Sequence, residues 1–132
     1  MLDHFAEQVR QHPAKIAIIQ EQEDVTYQML DRRANLLADT IRQKHTIASN
    51  YIGIGVASGH EFIVGILAIL KLGYAYLPLD STLPTSRLQE MLADRDTNLI
   101  LTTNSFIKRF KHCGVELETI TFHFIRGATN KR

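Results

Sequence analysis

The chain has 132 residues, of which 45% are hydrophobic, so it is long enough for one domain with a single core. Fifteen Lys and Arg residues against 14 Asp and Glu give a net charge of +1, which excludes a global field that would recruit nucleic acid or an anionic membrane. A lone cysteine excludes an intrachain disulfide, and the N-terminus lacks the apolar run of a secretory signal. We therefore expect a cytoplasmic protein with neither a nucleic-acid nor a membrane partner.

The first third of the chain predicts a helix, a hairpin and a second helix. Leu2, Phe5 and Val9 recur at helical spacing up to Pro13. The β-branched run at 16–19 and the residues at 25–27 flank an acidic turn and predict two short strands. Residues 28–44 carry one apolar stripe opposite a charged face, which is typical of an amphipathic helix.

Strands and helices alternate in the middle of the chain. Residues 51–56 predict a strand, and Ser58 with Glu61 has the spacing of a capping box for a helix over 60–72. That helix is apolar on nearly every side, so we expect it to be the most buried one, and Gly73 is its natural end. A strand at 75–79, a helix at 84–94 and a strand at 98–101 follow.

This alternation predicts an α/β fold with a mostly parallel sheet and helices on both faces. We treat residues 1–132 as one domain. The signal is weak in the C-terminal segment, residues 104–132, where Phe106, Ile107 and Phe110 indicate a helix and residues 120–124 indicate a strand.

One local pattern suggests a phosphate cradle, because Gly53, Gly55 and Gly59 lie between a strand and a helix. A dinucleotide fingerprint needs its third glycine where this chain has Ser58, and the first two glycines fall within the strand. A tight strand-to-helix turn is the simpler interpretation. A nucleotide-binding role is the alternative.

No other constellation predicts a catalytic, cofactor or metal site. The six histidines show no pair at metal-ligand spacing, and Cys113 has no identifiable base partner. Asp94 and Asp96 at a helix end are interpreted as a solvated cap. The basic residues after position 103 are scattered among phenylalanines that suit burial, so they do not predict a nucleic-acid surface.

Two stretches read as motifs, residues 25–30 (VTYQML) and residues 70–80 (LKLGYAYLPLD). They resemble L-T-Y-x-E-L and L-K-A-G-x-A-Y-x-P-L-D of the adenylate-forming, or AMP-binding, enzymes, in particular the amino-acid adenylation domains of nonribosomal peptide synthetases. The likeness runs from about residue 4 to Thr103. It implies a fold that corresponds to part of the family's large N-terminal subdomain.

The chain departs from the family pattern in small and large ways. Met29 replaces the glutamate of a capping box, so we expect Thr26 to cap its helix alone. Ser81 stands where the family usually has proline. The resemblance also implies that the phosphate-binding loop, the substrate pocket and the catalytic lid follow the matched region, so Mg-ATP is expected for the parent family and no cofactor for this chain.

The family motifs match this chain at five residues that belong to scaffold segments, so no catalytic role is carried onto them: Tyr27, Lys71, Gly73, Pro78 and Asp80. The leading hypothesis is an incomplete N-terminal part of an amino-acid-activating domain, inactive alone. One alternative is a non-enzymatic module that self-associates or complements a partner chain. The other is a small α/β nucleotide-binding protein.

Overall fold

The computed structural model describes residues 2–19, 24–56 and 59–120. Its helices are α1 (Leu2–Gln11), α2 (Tyr27–Lys44), α3 (His60–Lys71), α4 (Thr85–Asp94) and α5 (Ile107–Phe110). Its strands are β1 (Ile16–Ile19), β2 (Asp24–Thr26), β3 (Tyr51–Gly55), β4 (Ala75–Pro78), β5 (Leu99–Thr102) and β6 (Glu116–Thr119). Across these ranges, none of the helices has the length and apolar character needed to span a bilayer.

Four strands form a parallel sheet in the order β4-β3-β5-β6. The central strand β3 pairs with β4, where Tyr51 lies beside Ala75, and with β5, where Gly53 lies beside Ile100. Strands β1 and β2 form a separate antiparallel pair. The predicted α/β class with a mostly parallel sheet is confirmed.

Alternate residues of the central strands point to opposite faces of the sheet, and each face has its own core. Ile52 and Ile54 of β3 pack with residues of α1, α2 and α3. Ile100 of β5 packs on the other side with residues of α4 and α5. Helices therefore cover both faces, as predicted.

The beginnings of α2 and α3 differ from each other because their caps differ. Thr26 accepts a hydrogen bond from the backbone amide of Met29 at 3.1 Å, which confirms that it caps α2 alone. The helix includes Tyr27, which the sequence placed in the preceding strand. The cap of α3 is Gly59, with φ of 94°, so the prediction of Ser58 as the cap is wrong by one position. Ser58 itself lies outside the described residues.

The C-terminal segment contains one predicted element and one that sequence analysis missed. The helix indicated by the phenylalanines is confirmed as the single turn α5. The next strand is Glu116–Thr119, whereas the sequence indicated a strand from Ile120 onward. Ile120 directly follows β6, and residues 121–124 lie outside the described residues.

Helix α3 is buried along residues 64–69. Its burial is not complete on all sides, because the Ile63 side chain is 37% exposed while Leu67 is 2% exposed. The cover of this apolar helix is therefore incomplete near both of its ends, where Ile63 is exposed and Phe62 and Leu70 are half-buried.

We predict that Leu67→Asp prevents folding, because an unpaired carboxylate in an apolar core costs several kcal/mol, a large part of the stability of about 5–15 kcal/mol of an ordinary domain. Ile63→Asp on the same helix is the matched control and should change the free energy of unfolding by no more than about 1 kcal/mol. Soluble yield and urea unfolding followed by circular dichroism measure both. Equal behaviour of the two variants would contradict the burial of α3.

Candidate functional site at the carboxyl ends of the strands

The carboxyl ends of the parallel strands β3, β4 and β5 lie at the same end of the sheet. This is the end at which α/β folds form their ligand crevices. Strands β3 and β5 are neighbours in the sheet. From β3 the chain continues to β4, on the side away from β5, and from β5 it continues to β6, on the side away from β3. The winding therefore reverses between β3 and β5. In a nucleotide-binding protein of this class, the crevice at that reversal holds the ligand.

In this protein the side chain of Phe110 packs on Gly55, the last residue of β3, beside the reversal point. A Cβ atom added to Gly55 would lie 2.3 Å from two atoms of the Phe110 ring. Phe110 is completely buried. The Thr102 hydroxyl donates a 2.8 Å hydrogen bond to the Gly55 carbonyl oxygen, so this oxygen already has a hydrogen-bond partner. The absence of a side chain at Gly55 leaves room for this ring on the face of the sheet that α4 and α5 cover.

The other two glycines of the pattern also have structural explanations. Gly53 lies inside β3, and an added Cβ would be 3.0 Å from the Leu79 side chain. Gly59 adopts a left-handed φ of 94° at the start of α3, a conformation that glycine adopts without steric cost. The interpretation of Gly53 and Gly55 as strand residues is confirmed.

An apolar cleft of about 340 Å³ lies beside the end of β4. The described residues of its walls include no lysine or arginine, and the polar ones among them are Asp80 and Ser81. The remaining lining residues are Ile54, Val56, Phe62, Pro78, Leu79, Leu83 and Met91. Such a lining favours an apolar group over a phosphate.

Asp80 and Arg109, two charged residues near this end of the sheet, are engaged in loop structure. Asp80 accepts hydrogen bonds from the backbone amide and the hydroxyl of Thr82, at 2.9 and 2.7 Å, and these bonds lower the pKa of the carboxyl. The Arg109 guanidinium donates from Nε to the Ser81 carbonyl at 2.5 Å and approaches the Thr85 hydroxyl at 3.4 Å. Arg109 thus fixes the β4–α4 loop on α5.

The remaining candidate residues are dispersed. Cys113 is buried, and burial raises the pKa of its thiol more than nearby Arg109 lowers it, so the thiolate is disfavoured. Asp94 and Asp96 are exposed at the end of α4. Within residues 2–19, 24–56 and 59–120, no three His, Cys, Asp or Glu side chains are placed to hold a metal ion.

The motif at residues 70–80 occupies the end of α3, the turn and β4, so its residues build scaffold. Lys71 forms a 2.9 Å ion pair with Asp31, which joins α3 to α2. Gly73 takes a φ of 89° in the turn after the helix. From residue 5 to residue 126 the sequence matches the AMP-binding enzyme family.

The chain belongs to the AMP-binding enzyme family. It is 39% identical over 105 residues to bacitracin synthase 3 of Bacillus licheniformis, a match that covers 80% of this chain and 2% of that protein. It is 40% identical over 107 residues to the zwittermicin A synthase ZmaJ of Bacillus cereus, covering 81% of this chain and 20% of that protein.

Among solved structures, the fold resembles the N-terminal subdomain of NpsA from Klebsiella oxytoca. The TM-score is 0.76 at 20% identity, with 89% of this chain and 30% of that chain covered. The sequence corresponds to the N-terminal part of an adenylation domain of the nonribosomal peptide synthetase type. The family match extends beyond Thr103, so it includes α5 and β6.

Sequence analysis missed a cluster of three ionisable residues around His45, which follows α2. Its Nδ1 lies 2.5 Å from Glu116 and its Nε2 lies 3.0 Å from Glu118, so one ring bridges two carboxylates of β6 in this member of the AMP-binding family. Lys44 lies 4.0 Å from Glu118. The partners are more than 70 positions apart in the chain, so no local pattern could have predicted the contact.

The two carboxylates around His45 favour its protonated form. Burial alone lowers the pKa of His45, but the hydrogen bonds to Glu118 and Glu116 and the charges of these carboxylates outweigh it, so the pKa is raised. The protonated imidazolium, which can donate from both nitrogens, is the form that suits two carboxylate partners.

We predict that Gly55→Ala lowers the free energy of unfolding by about 1–3 kcal/mol, because the new methyl group overlaps the Phe110 ring. Gly53→Ala is the matched control and should have a smaller effect, since the nearest atom is the end of a flexible leucine. Urea unfolding measures both. In the double variant with Phe110→Leu, the loss should be smaller than the sum of the single losses; strict additivity would contradict the direct contact.

We predict that stability decreases as the pH rises through the folded-state pKa of His45. Because that pKa is above the ordinary value of 6.5, its contribution to stability is complete below about 6.5 and is lost at higher pH. Free energies of unfolding measured from mildly acidic to mildly alkaline pH test this against His45→Gln. The difference between the two proteins should shrink as the pH rises, and a constant difference would contradict the prediction.

Proposed function

We propose that the chain is the N-terminal part of an ATP-dependent, amino-acid-activating domain of nonribosomal peptide synthesis and that it forms no aminoacyl adenylate alone. The family match supports the first statement. The second is supported by the packing of the Phe110 ring on Gly55 at the end of β3, beside the point where a sheet of this kind holds a nucleotide.

The chemistry of adenylation explains why this observation matters. A carboxylate attacks the α-phosphate of ATP and pyrophosphate leaves, so the enzyme must position both reactants and stabilise negative charge. The described residues do not fit Mg-ATP. Arg109 is held by Ser81 in the β4–α4 loop, and Lys71 is held by Asp31.

A completing chain is part of this proposal. The sequence covers 2% and 20% of the two curated relatives and 30% of the NpsA subdomain. In those proteins, the matched region is therefore accompanied by a much longer polypeptide that has no counterpart in residues 1–132. We propose that residues 1–132 form one incomplete cytoplasmic domain that self-associates or is complemented by another chain. The exposed apolar cleft beside β4 supports this need for cover.

Two other functions remain as alternatives. A non-enzymatic interaction module would use the same uncovered surfaces without any nucleotide. A small nucleotide-binding protein would need a cradle near Gly53 to Gly59, and the buried position of Gly55 under Phe110 weighs against it.

We predict that Mg-ATP, with or without amino acids, causes no thermal shift and no pyrophosphate release. A ligand that binds only the folded state must raise its apparent stability, so differential scanning fluorimetry reports binding even without turnover. A complete adenylation domain serves as the positive control for both assays.

A saturable thermal shift with ATP would contradict the proposal and favour the nucleotide-binding alternative. In that case the shift should be tested in Gly55→Ala, which alters the crevice, and in Gly53→Ala, which alters the neighbouring strand position. Pyrophosphate release by the chain alone would contradict the proposal directly.

A further inference from the structure

The bridge from His45 to β6 is complete in only one protonation state of the ring. Its Nδ1 faces Glu116 at 2.5 Å and its Nε2 faces Glu118 at 3.0 Å. An ionised carboxylate accepts hydrogen bonds and donates none, and a neutral imidazole has a single N–H. The imidazolium therefore satisfies both carboxylates, whereas the neutral ring leaves the lone pair of one nitrogen against a carboxylate oxygen.

Few other charges act on this ring. Within the described residues, the charges that act on His45 are those of Glu116 and Glu118. Lys44, the last residue of α2, lies 4.0 Å from Glu118. The loop that follows His45 is held by the neutral amide of Asn98. Loss of the imidazolium proton therefore falls on the contacts with the two glutamates.

The two contacts differ in how readily water replaces them. The Glu118 side chain is 12% exposed and has Lys44 nearby, whereas the Glu116 side chain is 58% exposed. A carboxylate that loses its partner in a buried place pays for its desolvation, and an exposed one is solvated instead. The contact that the neutral ring gives up is therefore the one with Glu116, although its distance is the shorter of the two.

The backbone at the start of β6 is able to follow such a release. Gly114, two residues before Glu116, takes a left-handed φ of 81°, which glycine adopts without steric cost. The Glu116 amide donates to the Asn98 carbonyl at 3.1 Å, while at the other end of the strand the Ile120 amide donates to the Thr102 carbonyl at 2.8 Å. Ile120 is also anchored in the core, so the start of β6 is the less firmly held end.

We propose that His45 is a pH-sensitive switch, which holds Glu116 and the start of β6 when the ring is protonated and releases them when the ring is neutral, while Glu118 stays bound. The neutral ring then keeps its proton on Nε2, toward Glu118, and leaves Nδ1 bare. This goes beyond a general loss of stability, because one contact opens and the rest of β6 stays paired with β5. Histidine suits such a role since its charge changes near neutral pH.

The first test uses the full chain labelled with nitrogen-15. Imidazole nitrogen signals recorded over a pH series report how many protons the ring of His45 carries and on which nitrogen. We expect both nitrogens to be protonated below the pKa of His45 and only Nε2 to be protonated above it.

Backbone relaxation measured on the same sample reports release within the folded state. As the ring loses its proton, the order parameter of the Glu116 amide should fall from about 0.85, typical of rigid backbone, toward about 0.6. The Ile120 amide is the internal control and should keep its value.

Two matched variants separate the roles of the carboxylates, because glutamine has the size of glutamate and its amide can also donate a hydrogen bond. In Glu116→Gln, the amide can donate to the bare Nδ1, so the start of β6 should stay ordered at every pH with the neutral proton on Nε2. In Glu118→Gln, the neutral proton should move to Nδ1, toward Glu116. Thermal melting verifies that each variant is folded.

The proposal is wrong if the neutral ring of the unaltered protein carries its proton on Nδ1 or divides it equally between the nitrogens. It is also wrong if order at Glu116 does not change with pH, if Ile120 loosens equally, or if both variants show the same neutral tautomer. The measurements on the unaltered chain decide the matter even if a variant fails to fold. They do not depend on the ATP assays, so failure here leaves the proposed function standing.

Discussion

The packing of the Phe110 ring on the bare backbone of Gly55 constrains one whole face of the sheet. The ring fits only because Gly55 has no side chain, and the core on that face is then closed by residues of α4, β4 and β5. The same contact brings the neighbouring Arg109 to the loop after β4, where its guanidinium holds the Ser81 carbonyl. A single glycine at the end of β3 thus positions α5, the β4–α4 loop and the walls of the candidate site.

Sequence periodicity predicts most of this architecture because burial determines it. The stripe of α2, the apolar run of α3 and the strand at β3 are confirmed, as is the solitary cap at Thr26. The alternating Glu-Leu-Glu-Thr of β6 was missed because only one of its four residues is apolar. Its stability as a strand comes from pairing with β5 and from the bridge to His45, and both are contacts between distant residues.

The candidate site was predictable only in part, and for a physical reason. The glycine spacing departs from a dinucleotide fingerprint, but the sequence could not indicate that a phenylalanine more than 50 positions later packs on Gly55. Likewise, the family motif identifies Lys71 without its partner, whereas the structure pairs it with Asp31 across two helices. Roles of this kind depend on which elements the fold brings together, and a single sequence does not contain that pairing explicitly.

The order of the strands in the sheet also has a consequence for how the chain folds during synthesis. The partner of β3 that is nearer in sequence is β4, where Tyr51 lies beside Ala75. The other partner, β5, is synthesised later and pairs with β3 through Ile100. Closing the longer loop costs more entropy and takes more time. A nascent chain that has emerged as far as α4 therefore has β3 paired on one side only, with its other side open to incorrect partners. On the ribosome, the vulnerable edge is the one that becomes the centre of the finished sheet.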